Sequence, residues 1–98
     1  MLYMLVVLFP PDKAKVCGEI FLKLPEPTNF KYLGIYHTSD GEHGIKAYQL
    51  IEVEKGKEEE GFSELMGRLA KFIDVEGFRW TLESLLGLED SLKLIGLA

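Results

Sequence analysis

The stretch FKYLGIYHTSDGEHGIKAYQLIEVE, residues 30–54, decides the fold. It holds two runs rich in aromatic and β-branched residues, Phe30–Thr38 and His43–Glu54, on either side of Ser39-Asp40-Gly41. Such runs favour strands, and the tip fits a three-residue hairpin loop in which a type I turn precedes a glycine in the left-handed region. With that loop, Thr38 lies opposite Glu42 and His37 opposite His43. One face then gathers Leu33, Ile35, Ile45, Ala47, Ile51 and Val53. The other gathers Phe30, Tyr32, Tyr36, Lys46, Tyr48, Leu50 and Glu52. A slip of one residue would mix the two sets, so their separation supports the register.

Working outward, Leu2–Phe9 reads as a first strand that is apolar on both faces. Pro10-Pro11-Asp12 opens a helix, because proline suits the first turn and an acid suits the positive end of the dipole. Val16, Cys17, Ile20, Phe21 and Leu24 follow at helical spacing until Pro25-Glu26-Pro27 stops them. After the hairpin, Glu58-Glu59-Glu60 starts a second helix with Phe62, Leu65, Met66, Leu69, Phe72 and Ile73 as its apolar stripe. Asp74–Leu82 reads as a fourth strand, with Phe78, Trp80 and Leu82 turned towards the helices and Arg79 away from them. The order β-α-β-β-α-β describes an α+β, ferredoxin-like sandwich: four antiparallel strands with two helices on one face. A single domain spans 1–98, with its core over 1–82 and an extension over 83–98. The extension, apolar from Leu85 to Leu97, forms a short C-terminal helix or an arm.

Composition narrows the function classes. A net charge of −5 argues against a general phosphate-backbone binder, so no nucleic-acid partner is expected. The strand Gly44–Tyr48 is also a poor match to the basic-glycine-aromatic strand of an RNA-recognition module. Met1–Phe9 is too short to span a bilayer and lacks a basic leader, which gives a cytoplasmic protein with no membrane partner. Cys17 is the single cysteine, and inside an apolar helical pattern it reads as a core residue. There is no glycine-rich phosphate loop, no Gly-x-Ser-x-Gly elbow and no His-Glu-x-x-His.

The aliphatic face of the hairpin belongs under the helices, which leaves the aromatic face and one side of the first strand uncovered. Side chains worth about 1.5–3 kcal/mol each on burial do not usually remain open in such number. A second subunit, the C-terminal extension, or both must cover them, and a two-fold homodimer is the simplest solution.

Four short stretches, Met1-Leu2-Tyr3-Met4, Asp40-Gly41, Tyr48-Gln49-Leu50-Ile51-Glu52 and Phe72-Ile73-Asp74, carry a resemblance. On them the chain, up to about Leu82, resembles the dimeric α/β-barrel superfamily, in which two ferredoxin-like subunits pack their open sheet faces together. More narrowly it is similar to a family of short uncharacterised prokaryotic proteins within that group. The resemblance implies a homodimer with a space between subunits. It implies no single cofactor, because the superfamily includes cofactor-free monooxygenases, haem-handling proteins and proteins without known chemistry.

Two sets of residues could carry function. Tyr32, Tyr36, Lys46, Tyr48, Glu52 and Arg79 share the uncovered face, where they would line the space between subunits as a site for a small molecule or pack it as an interface. Glu52 is the expected partner of Arg79. His37 and His43, as a direct cross-strand pair with Cβ atoms roughly 4.5–5.5 Å apart, could share a metal with Asp40 or Glu42, or simply sit exposed at the hairpin tip. No acid, base or nucleophile pair is visible, so binding or sensing a small molecule ranks above a cofactor-free oxygenase-like or haem-dependent enzyme. A purely structural dimer is the remaining alternative.

Overall fold

The computed structural model describes residues 1–42 and 44–97. In chain order these form β1 (Leu2–Phe9), α1 (Ala14–Lys23), β2 (Lys31–Asp40), β3 (Gly44–Glu52), α2 (Glu58–Ala70), β4 (Arg79–Leu85) and α3 (Leu88–Leu94). The four strands make one antiparallel sheet in the order β2-β3-β1-β4. This is the expected ferredoxin-like arrangement, with β4 running three residues beyond Leu82. Among the described residues no helix is long and apolar enough to cross a membrane.

Parity along β1 sorts the two sides of the sheet. Leu5, Val7 and Phe9 point into one core with Cys17 of α1 and Leu65, Leu69 and Phe72 from α2 and the turn after it. Their cross-strand neighbours on that side are Gln49, Ala47 and Ile45 of β3. Leu2, Met4, Val6 and Leu8 point to the other side, which carries neither α1 nor α2. Two members of the expected α2 stripe, Phe62 and Ile73, are exposed.

The hairpin is longer than its sequence suggests. Asp40 pairs with Gly44, Thr38 with Lys46 and His37 with Ala47, so residues 41–43 rather than 39–41 connect the strands. The cause is local. The Asp40 carboxylate accepts the Glu42 backbone N–H at 2.7 Å, and the glycine with left-handed backbone is Gly44, at φ +86°, not Gly41. A Cβ on Gly44 would lie 2.7 Å from the Phe9 carbonyl oxygen.

A second departure lies in β2, where the register shifts between Tyr32 and Gly34. The extra residue, Leu33, reverses the parity of everything before it. Phe30 and Tyr32 therefore face the helices, and Leu33 is 46% exposed. Two aromatic rings go inside at the expense of one leucine: Phe30 meets Tyr32 edge to face at 5.4 Å, and Tyr32 reaches Phe21 of α1 at 6.1 Å.

β4 starts later than expected, at Arg79. Between α2 and β4 the backbone turns twice, with Val75 N–H donating to Phe72 O and Phe78 N–H to Val75 O. The Phe72 and Phe78 rings stack at 4.6 Å across these turns. The faces of β4 are as expected: Leu82 and Phe78 pack on the core, and Arg79 points to the opposite side.

Replacing Gly44 by alanine forces a side chain against backbone in a left-handed conformation and should cost about 1–3 kcal/mol in urea unfolding. Gly41→Ala, with no atom within 4 Å of the added carbon, should be close to neutral. Equal effects at the two positions would place the turn at 39–41 after all.

Candidate functional site

The register gives the open face as four rows across the sheet: Arg79–Leu8–Lys46–Thr38, Thr81–Val6–Tyr48–Tyr36, Glu83–Met4–Leu50–Gly34 and Leu85–Leu2–Glu52–Lys31. One end is cationic, the middle is apolar and aromatic, and both carboxylates lie in the last two rows. A shallow hollow of about 770 Å³ lies over Val6, Leu8, Lys46, Tyr48, Arg79, Thr81 and Glu83.

Of the residues expected here, Tyr36, Lys46, Tyr48, Glu52 and Arg79 are on this face. Tyr36 is cross-strand from Tyr48, and its ring lies over Gly34, where a Cβ would sit 2.6 Å from the ring edge. Tyr32 is not on this face, because the bulge at Leu33 turns it under the helices. Glu52 is not the partner of Arg79. It sits opposite Leu2 while Arg79 sits opposite Leu8, about 20 Å away at the usual rise per strand residue. Glu52 instead pairs with Lys31 at 3.1 Å, an exposed bridge of small energetic weight.

His37 is opposite Ala47 and lies on the helix side of the sheet. His43 lies outside the described residues. Among the described residues no group of three His, Cys, Asp or Glu side chains could hold a metal ion.

A smaller but more enclosed space is on the other side. α1, α2 and the sheet surround a cavity of about 550 Å³ with walls from Leu5, Val7, Phe9, Phe21, Ile35, Ala47, Leu65, Leu69 and Phe72. Its polar groups are few. Gln49, at 9% exposure, is the single buried polar side chain of the described residues, and its amide hydrogen-bonds to none of them. Its amide keeps some access to the cavity space, where water or a bound group can reach it. Arg68 also borders the cavity. Its guanidinium stands 5.9, 5.8 and 5.7 Å from the ring centroids of Phe21, Phe30 and Tyr32. One Nη donates to the Pro25 carbonyl, and Nε is buried without a partner. Cys17 lines the same space, and burial pushes its thiol pKa up, away from reactivity.

One turn before Arg68, Glu64 ties α2 to the segment entering β2. Its carboxylate accepts the backbone N–H groups of Thr28 and Asn29, at 3.0 and 2.8 Å, and the Thr28 hydroxyl. Burial pushes the Glu64 pKa up, but these hydrogen bonds and the nearby Arg68 charge outweigh it and hold the carboxyl below its ordinary value.

Neither Gln49 nor Arg68 is singled out by the sequence patterns. Gln49 leaves a trace: it is the polar member of an otherwise aliphatic row, between Ala47 and Ile51. Arg68 has none, since an arginine beside an apolar stripe is the ordinary state of an amphipathic helix. No protein family, curated protein or solved structure matches this chain.

Glu64→Gln should lower stability at neutral pH by about 1 kcal/mol, through weaker acceptance by a neutral amide. Because the folded pKa is depressed, the wild-type advantage is complete above the ordinary carboxylate pKa and disappears as pH falls through the lowered one. Urea unfolding of both proteins near pH 7 and near pH 3 should thus show two curves that converge in acid. A gap that persists at low pH would detach it from carboxylate ionisation.

Proposed function

We propose that this chain works as a homodimer, packed open sheet face to open sheet face, and that it binds or senses a small molecule. The observation that carries the dimer is the open face itself. Leu2, Met4, Val6 and Leu8 meet Tyr48, Leu50 and Leu85 there, on the side away from α1 and α2. The C-terminal segment leaves most of its apolar side chains in the open: Leu92 of α3 is half-buried, but Leu88, Leu94, Ile95 and Leu97 are exposed.

Charge placement favours a second copy as the cover. With the two sets of strands antiparallel, the cationic Lys46–Arg79 row of each subunit lies over the end of the other that holds Glu83 and the Lys31–Glu52 pair, and the apolar middle rows meet. Like charges would face one another in the reverse orientation, which electrostatic complementarity disfavours. The two-fold operation makes both contacts at once. This arrangement corresponds to the dimeric α/β-barrel superfamily that the sequence resembles.

Binding is favoured over catalysis by the kind of groups that gather on the sheet. Tyr36, Tyr48, Lys46 and Arg79 are aromatic surfaces and permanent cations, suited to holding a molecule in place. A partner sheet would roof the hollow over Val6, Tyr48 and Arg79 and remove it from bulk water.

Sedimentation equilibrium at micromolar concentration should return twice the chain mass. Tyr48→Asp, which places a charge in the apolar middle of the interface, should dissociate the dimer while circular dichroism keeps its α+β signature. A wild-type monomer across this range, or unchanged assembly of Tyr48→Asp, would remove the open face as the interface.

A further inference from the structure

We propose that the cavity between α1, α2 and the sheet binds an elongated apolar molecule ending in a carboxylate, a fatty-acid-like ligand with its head near Gln49 and Arg68. This deepens the reading of the chain as a small-molecule binder and does not depend on its dimerisation.

The volume of about 550 Å³ falls within the range of small-molecule sites. Its wall is aliphatic and aromatic, which suits a hydrocarbon chain. Gln49 is a buried polar group on its wall, and its amide can donate to one carboxylate oxygen, while the buried polar atom without a partner among the described residues is Arg68 Nε. Arg68 supplies charge of the matching sign. Its ring neighbour Tyr32 is cross-strand from Ile51, the next residue after Gln49 on the same face, and both Gln49 and Arg68 line the cavity. No Asp or Glu lines the space to oppose an anion. The nearest acid along α2, Glu64, has its oxygens engaged by Thr28 and Asn29.

Gly18 gives the means of testing this. It lines the cavity from α1, and a Cβ there would meet nothing within 4 Å. Gly18 is itself exposed, so it stands at the mouth of the cavity, and replacing a mid-helix glycine favours the helix. Gly18→Met should fold at least as well as wild type while laying a side chain across that mouth.

Calorimetric titration of the full chain with dodecanoate, below its micelle concentration, should show saturable binding of one molecule per chain. Dodecanol should bind about tenfold more weakly for want of the charge-assisted contacts. Gln49→Leu should weaken dodecanoate by about tenfold, Gly18→Met should abolish its binding, and Arg79→Met on the open face should leave it unchanged. Absence of saturable binding to the folded wild type overturns the proposal, as does undiminished binding to Gly18→Met. Loss of binding in Arg79→Met with retention in Gly18→Met overturns it too, and moves the ligand to the space between subunits. A dimer that fails to bind dodecanoate refutes this site alone, whereas a monomer that binds it refutes the dimer and leaves the site.

Discussion

The rest of the structure is organised around the two-sided burial of β1. This strand is hydrogen-bonded on both edges, to β3 and to β4, and three consecutive residues, Leu5, Val6 and Val7, are buried. Consecutive strand residues point to opposite faces, so an apolar run of this kind demands cover on both sides of the sheet. A β-α-β-β-α-β chain supplies helices to one side only. The helix side can be completed within one copy. The other side leaves an aliphatic centre between the Lys46–Arg79 row and an end that holds Glu83 and the Lys31–Glu52 pair.

The second organising element is the clamp made by Glu64 and Arg68, one turn apart on α2. Glu64 holds the backbone at Thr28 and Asn29, and Arg68 holds the Pro25 carbonyl, so the segment entering β2 is fastened to α2 at both ends. Arg68 also gathers Phe21, Phe30 and Tyr32 around its guanidinium. Cation–π contact of this kind is worth more when it is shielded from water. It gives a physical reason for the bulge at Leu33, which is what brings both β2 aromatics to the helix side. The same rings then wall one end of the cavity. Clamp, bulge and cavity are thus parts of a single construction.

The two sides of the sheet suit different tasks. The open face is broad, shallow and mixed in charge, as a surface for a protein partner is. The helix side holds a partly enclosed, mostly apolar cavity bordered by Gln49 and Arg68, as a pocket for a small molecule is. Glycine contributes on both sides. Gly34 makes room for the Tyr36 ring on the open face, and Gly18 leaves the cavity mouth open on the other.

Periodicity within the sequence alone determined the type and order of the elements, the two-faced character of β1 and the side to which Arg79, Tyr48 and Leu82 point. These depend on local alternation, which a strand expresses wherever it lies. Alternation was blind to the hairpin register: moving the loop two residues along the chain preserves parity, so His37 opposite His43 and His37 opposite Ala47 fit the same pattern. The Asp40–Glu42 turn and the left-handed Gly44, set against the Phe9 carbonyl of a distant strand, separate the two. Tyr32 and Phe30 went to the other face because an arginine on α2 and a phenylalanine on α1 hold them there, and no window of sequence around β2 contains either. The Glu52–Arg79 pairing failed for a similar reason. Parity places two residues on one face, but only the register of strands on both sides of β1 tells how far apart along it they stand. Gln49 was visible as a polar residue in an aliphatic row, but whether a buried amide finds a partner depends on every side chain packed around it, and tertiary structure alone decides that.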